Sequence, residues 1–424
     1  MGKKLKNTIP GEWEIGNCWL KTSEKLVNLS ESLLEVNIEQ NIENPFELGV
    51  FLIMNDAGVD SLLPLVNGTE MGFEYIINGI SYKRIFKLIE LEYVSESEKS
   101  KALRLIGITS EFYQASMEKN SIAYENMAPD KILKMNGIRN LFVNDKTSEK
   151  TWVIPHNYNR IKFVSNILFT LQSDIPRLKK RLLKTKEGYS ICDPLSFTQN
   201  FKEFYGLNPQ KEITLQYKNE KLKRKNESQQ LGDDIPIQQF LSVDNYQIKS
   251  GRSLIKSINS KEHSYFIEKY DPMRKMYSTY KHEQRKNTIY DSVLYLKEDE
   301  ERTSARHYFT DSSSTEINEA IKNAGLTNEF SLNKKGYSTQ NSLLIQMNSS
   351  ALIEVGLYYQ IEIGADIPGE MNEYIDPVFS GLKLCTQVKH IFIPDQIARA
   401  ELTLSSEGGI PTKKYHKLAN LSKK

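Results

Sequence analysis

A chain of 424 residues with 39% hydrophobic side chains can bury several cores, and its three cysteines, Cys18, Cys192 and Cys385, are too few and too far apart for a disulfide framework or a zinc site. A formal charge of +2 carries no nucleic-acid signature, and the longest apolar run, Val50 to Met54, falls far short of the ~18 residues of a membrane helix. The 22 Tyr and 17 Phe favour strands, so composition predicts a soluble, α+β but mostly β protein of a reducing cytoplasm, without a signal peptide because Asn7 to Trp13 is polar and broken by proline.

Residues 1–32 read as a polar lead-in holding Trp13 and Trp19, with an edge strand at Leu26, Val27 and Leu29. Leu34, Val36 and Ile38 then alternate with Glu35, Asn37 and Glu39, the period of a strand with one buried face. Asn44-Pro45 interrupts that pattern, and Gly49 to Met54 predicts a second strand buried on both faces, which makes Val36 and Leu52 core positions. Asp56-Ala57-Gly58 ends it, Leu62 to Leu65 crosses over, and Gly68 to Ile77 opens a third strand. Tyr82 to Val94 and Lys101 to Thr109 add two more, so 1–109 is expected to form a first β-barrel domain.

From Ser110 to Met135 the apolar spacing changes to that of helix, and Ile161 to Leu171 predicts a second helix with Ile161, Val164, Leu168 and Leu171 on one face. The basic run Arg177 to Lys184 reads as helix with a solvated basic face, completing a mixed domain over 110–217. Residues 218–235 are charged and poor in apolar groups, an exposed loop. Over 236–334 a mixed domain is expected, with short elements at Ile235 to Tyr246 and Ser253 to Ile258. It continues with a strand ending in Tyr270-Asp271, a charged loop at Lys297 to Arg302, and a helix from Glu316 to Ala324 stopped by Gly325.

A second β-barrel domain is expected over 335–406. Its strands are Leu343 to Met347, Tyr358 to Ile363, Ser380 to Leu384 leading to Val388 to Ile393, and a last one in which Ala398, Ala400, Leu402 and Leu404 face inward. Residues 407–424 form a polar tail. Six histidines offer little for catalysis, and no His-Glu-x-x-His, Cys-x-x-Cys, Gly-x-Ser-x-Gly or phosphate-binding glycine loop occurs. Carboxylates such as Glu298 and Glu301 lie in a charged loop, not an apolar pocket that would raise a pKa. The expectation is no enzyme, no cofactor and no metal.

Three sets of residues, in order along the chain, resemble the baseplate hub proteins of contractile-tailed bacteriophages, whose fold recurs in the spike proteins of type VI secretion. The first set is Val36-Asn37-Ile38-Glu39, the strand reaching Asp56, and Leu63-Pro64-Leu65-Val66-Asn67-Gly68-Thr69-Glu70; Asn37 replaces a common acid, and one extra residue precedes Gly68. The second is Trp152 to Tyr158 with the helix after it. The third is Val355-Gly356, Ser380-Gly381 and Val388-Lys389-His390. The resemblance implies structural roles for these positions, His390 included. It further implies a homotrimeric ring of six like barrels that adapts a six-fold tail tube to a three-fold central spike. Such a ring would contact other baseplate proteins, pass DNA without sequence-specific binding and insert in no membrane, in a virion assembled in the host cytoplasm. The hub of a bacterial contractile injection particle is the alternative setting, and a tail-associated peptidoglycan hydrolase a third reading that lacks a catalytic segment.

Overall fold

The computed structural model describes residues 10–22, 25–42, 44–55, 65–95, 101–117, 122–136, 138, 141–143, 150–153, 181–184, 189–192, 194–217, 239–250, 265–271, 275–282, 305–310, 341–365, 374–376 and 379–406. The N-terminal strands are β1 (Trp13–Lys21), β2 (Leu26–Asn28), β3 (Leu33–Asn41), β4 (Asn44–Met54), β5 (Glu70–Ile77), β6 (Ile80–Ser95) and β7 (Lys101–Thr109). Helix α1 (Ser110–Met117), β8 (Ala123–Met127), α2 (Pro129–Met135), β9 (Leu141–Val143), β10 (Lys150–Val153), β11 (Arg181–Lys184), β12 (Tyr189–Cys192), α3 (Pro194–Tyr205) and α4 (Pro209–Glu212) follow. The rest are β13 (Ile213–Tyr217), β14 (Gln239–Ser250), β15 (Tyr265–Asp271), β16 (Met276–His282), β17 (Ala305–Thr310), β18 (Asn341–Asn348), β19 (Tyr358–Ala365), β20 (Tyr374–Ile375), β21 (Gly381–Phe392) and β22 (Arg399–Ser406).

The protein is mostly β, as its aromatic and β-branched content predicts. Strands β13, β14, β18, β22, β21 and β19 close on themselves into a six-stranded barrel, in which β13 is parallel to both neighbours and every other pair is antiparallel. This barrel takes strands from 213–217 and 239–250 as well as from the chain end. The N-terminal strands run in the order β2-β1-β5-β6-β7-β4-β3, and β3 pairs with β21, so that sheet and barrel are one continuous structure.

The two halves repeat one topology. In chain order β1, β3, β4, β5, β6 and β7 correspond to β13, β14, β18, β19, β21 and β22, and the strand neighbours match, β1-β5-β6-β7-β4-β3 against β13-β19-β21-β22-β18-β14. Two of the irregularities fall at equivalent places. A bulge between Leu33 and Glu35 on β3 has its counterpart between Val243 and Asn245 on β14, and one between Leu88 and Glu90 on β6 matches one between Cys385 and Gln387 on β21. Gly68 and Gly356 enter β5 and β19 with φ of +91° and +92°, a conformation that glycine alone adopts without cost. Gly68 N donates to Leu88 O at 2.7 Å and Gly356 N to Cys385 O at 2.8 Å, again at matching positions.

Closure differs between the halves for an identifiable reason. The expected pair of end barrels is met by one closed barrel and one sheet, because β2 takes the edge of β1 at Trp19–Lys21, whereas in the C-terminal half β14 takes the corresponding edge of β13.

Several local expectations are corrected. The lead-in is a nine-residue strand, β1, and β4 runs through Asn44-Pro45. Residues 110–135 are not one helix, since β8 separates α1 from α2. The end of the basic run is strand: β11 buries both Leu182 and Leu183, on two different cores, with Leu183 against Gly356. Strand β4 is covered on one face only, with Phe51 and Ile53 buried and Met54 36% exposed on the other. In β22 the inward set Ala400, Leu402 and Leu404 is fully buried, as the alternation predicts. The expected helices at Ile161 to Leu171 and Glu316 to Ala324, the loops at 218–235 and Lys297 to Arg302, and the tail lie outside the described residues.

Candidate assembly surface and its buried joint

Strands β6, β7, β4, β3, β21, β22, β18 and β14 form a run of eight neighbours in which every pair is antiparallel. Side chains alternate across it. One face carries Val36, Ile38, Phe51, Leu103, Leu105, Val388, Leu402 and Ile345, all buried under the other strands of each half. On the opposite face most described side chains are exposed or half-buried, the buried exceptions lying toward its ends, among them Ile108, Ser342 and Ser405. Five carboxylates, Glu35, Glu39, Glu90, Glu92 and Glu401, stand there with four bases, Arg104, Lys389, Arg399 and Lys249.

These charges are matched across strands. Arg104 Nη1 donates to Glu92 Oε2 at 2.9 Å, Glu39 lies opposite Lys389 and accepts from Gln387 Nε2 at 2.6 Å, and Gln346 Nε2 donates to Glu401 Oε1 at 3.1 Å. The result is a nearly neutral wall across both halves, mostly polar but apolar along β4, where Leu48, Val50, Leu52 and Met54 stand. Exposed pairs of this kind hold little stability, at about 0–1 kcal/mol each, so the wall is built for contact with water and not for the fold.

The joint between the halves is the β3–β21 ladder, and a buried polar cluster lies against it. Glu47, 2% exposed, accepts from Gln40 Nε2, and its carboxylate lies 3.4 Å from Arg84 Nε. The Arg84 guanidinium sits over the Tyr82 ring, 5.4 Å from its centre. Burial works against the Arg84 charge, but Glu47, together with Tyr75, Tyr82 and Glu354, outweighs it and holds the group firmly protonated. The turn before β19 docks on the same place: Ala351 N donates to Asn78 Oδ1 at 2.9 Å, and Trp13 Nε1 donates to Gln396 O at 2.8 Å nearby.

His390 completes the cluster. Its Nδ1 is 2.7 Å from Ser349 Oγ, and its ring stacks on Phe392. Burial, reinforced by the positive charge of Arg84 and opposed by Glu47, lowers its pKa to about 4. A serine and a neutral histidine at that distance have the spacing of a nucleophile and base. The cavity that His390 borders, with Tyr75, Arg84 and Glu354, has a volume of about 30 Å3, room for a water and not for a substrate. Its chemistry is that of a joint.

The low pKa of His390 gives a pH dependence with a definite sign. Between its ordinary 6.5 and about 4 the unfolded chain takes up a proton that the folded chain refuses, so this group's contribution is complete above pH 6.5 and lost as pH falls toward 4. The loss is of the order of 3 kcal/mol at most. Urea midpoints measured from pH 7 to 4 are expected to fall less steeply in His390→Gln than in the parent; parallel curves would remove His390 as the source.

The described positions among those singled out in the sequence fall on or next to strands and turns. Val36 and Ile38 are buried on β3, opposite Phe392 and His390, so the first and third sets meet at the joint. Glu39 faces the polar wall. Gly68 and Gly356 are the paired turns, Glu70 forms an ion pair with Lys87 at 3.1 Å, and Val355 is buried. Ser380 Oγ accepts from Ile363 N at 3.0 Å, and Gly381 begins β21. Asp56, Leu63 and Pro64 lie outside the described residues. Sequence reasoning missed Glu47 and Arg84: Glu47 precedes the strand predicted from Gly49, and the one signal for Arg84 is a base within the strand predicted over Tyr82 to Val94. Among the described residues no group of three or more His, Cys, Asp or Glu could hold a metal, and no helix is long and apolar enough to cross a membrane.

No protein-family model matches the chain, and no curated protein matches it in sequence. Solved structures do match in fold. A tail protein from Neisseria meningitidis MC58 superposes with a TM-score of 0.54 at 11% identity, over 92% of this chain and 96% of that one. The 43 kDa tail protein of prophage MuSo2 from Shewanella oneidensis gives 0.51 at 11% identity, over 93% and 100%. The resemblance read from the sequence is met at the level of fold: the chain has the fold of these tail proteins.

Proposed function

From that fold we propose that the protein is the structural baseplate hub of a contractile tail, a homotrimeric ring between the six-fold tail tube and the three-fold central spike. The observation that carries the proposal is the eight-stranded antiparallel sheet, covered on one face and polar on the other, that spans both halves. The two halves of repeated topology act as the two tube-like domains, so three copies present six like units to the tube. The described strands that cover the sheet lie on one side of it. In a ring they occupy the outside, and the polar wall faces the channel.

Strand geometry favours three copies. Twenty-four strands about 4.8 Å apart, tilted by about 40°, close at a backbone diameter of about 45–50 Å, which leaves a channel wider than a DNA duplex after side chains are counted. Sixteen strands would close at about 32 Å by the same geometry, too narrow once both walls are lined. With five acids to four bases per chain the wall does not grip phosphates, which suits DNA that must slide. In a bacterial contractile injection particle the same ring would pass an effector, and flanking genes for tube, spike and cargo separate the two settings.

The test is native mass measurement and electron imaging of the purified chain, alone and with its tube and spike proteins. A three-fold ring with an open centre is expected in at least one condition. A monomer in every condition would overturn the hub assignment.

A further inference from the structure

Among the described strands the eight-stranded sheet ends in two open edges. On one side β6 from Ile89 to Ser95 pairs with β7 and with no described strand beyond it; on the other, β14 from Asp244 to Ser250 pairs with β18 and with no described strand beyond it. Open edges are templates for further strands unless something blunts them. Each of these carries an exposed large apolar side chain on the core side of the sheet. Tyr93, opposite Leu103, is 65% exposed, and Ile248, opposite Leu343, is 46% exposed. Because the run is antiparallel with an even number of strands, its two edges run in opposite directions. A rotated copy can therefore continue the ladder without reversal, a head-to-tail contact of the kind that closes rings.

The repeat supplies the register. Within the chain β3 meets β21, with Ile38 opposite His390 and Glu39 opposite Lys389. By the matching bulges β14 is the counterpart of β3, Ile248 standing for Ile38 and Lys249 for Glu39. Likewise β6 is the counterpart of β21, Tyr93 standing for His390 and Glu92 for Lys389.

We propose that the joint between copies repeats the joint within the chain: the β14 edge of one copy pairs antiparallel with the β6 edge of a second copy, Ile248 opposite Tyr93 and Lys249 opposite Glu92. This rests on the trimeric-ring reading above and specifies how the ring closes. The substitution brings the two stranded apolar groups together on the core side, where Ile38 and His390 meet internally. On the wall side it sets a base against an acid, the internal Glu39–Lys389 pair with its signs exchanged. Two independent features, apolar exposure and charge, thus agree with a register taken from a third, the bulges.

Cross-linking tests the register. Directly opposed cross-strand positions have Cβ atoms about 4.5–5.5 Å apart, close enough for a disulfide after a small adjustment, and diagonal neighbours are too far. The whole chain carrying Tyr93→Cys and Ile248→Cys, both at exposed positions, is expected to give covalent two- and three-chain species under mild oxidation. The chain carrying Tyr93→Cys and Tyr246→Cys, two residues off register on the same face, is expected to give none. Glu92→Lys or Lys249→Glu alone should shift the native mass from trimer toward monomer, and the two together should restore it. A native trimer without the 93–248 cross-link, or with the 93–246 cross-link in its place, overturns this joint and leaves the ring standing. A chain that stays monomeric alone and with its tube and spike proteins overturns the ring itself.

Discussion

Val36→Asp is expected to leave the chain insoluble, whereas Leu52→Asp folds. Val36 is fully buried on β3, with Phe51 opposite it on β4 and Phe392 opposite it on β21, so an aspartate there has apolar rings on both sides. A buried carboxylate without a partner costs several kcal/mol even after it neutralises, against a total stability that for most domains is about 5–15 kcal/mol. Because β3 is also the strand that joins the two halves, the loss falls on both. Leu52 sits one residue from Phe51 and points the other way. It lies opposite Arg104 on β7 and Glu35 on β3, on the polar wall, where a carboxylate meets water and a base. Soluble yield and thermal midpoint should separate the variants sharply, with Leu52→Asp within a few degrees of the parent. Equal failure of both would mean that the wall is covered by something in the folded chain, and the channel-facing assignment would fall with it.

That contrast also measures what the sequence could tell. The alternation of Leu34 to Glu39 predicts the orientation of β3, and that of Ile397 to Leu404 predicts β22, because strands with one wet face leave a period of two. The run Val50 to Met54 looks buried on both faces because Val50, Leu52 and Met54 are apolar, yet their side is the partly exposed wall. Apolar residues on a partly exposed sheet face look like core to any reading of period. The repeat was hidden for a related reason. Equivalent positions share strand order and two of the bulges but not residue type: Phe51 matches Ile345, Arg104 matches Glu401, and Val36 matches Tyr246. Gly68 and Gly356 were both singled out by resemblance, yet their equivalence lies in φ and in the carbonyl each one bonds, neither of which is written in a pattern of letters. The failure at β11 has a simpler cause. Leucines at 178, 182 and 183 fit a helix face, but two adjacent leucines also suit a short strand between two cores, and tertiary packing decides between them.

Removal of the Glu47 carboxylate is the second large effect expected. In Glu47→Ala the Arg84 guanidinium, whose side chain is 12% exposed, loses the counter-charge that holds it protonated against burial. Breaking a buried ion pair from one side typically costs 3–5 kcal/mol, and the 3.4 Å separation, with Arg84 Nε making no hydrogen bond among the described residues, places this one near about 3 kcal/mol. The cost comes from the stranded cation rather than from the strength of the pair. It follows that Glu47→Leu combined with Arg84→Met, which removes both charges at similar volume, should recover most of the stability. Denaturant midpoints of the two single variants and the double variant measure this as a cycle. The cluster also ties the N-terminal sheet to the turn ahead of β19, so Glu47→Ala should loosen the joint while leaving the barrel strands protected. Hydrogen exchange would register that as faster exchange at β3, β4 and β6 with β18 and β22 unchanged. Uniformly faster exchange would show instead that sheet and barrel unfold as one unit, and that the cluster stabilises the whole chain rather than its joint.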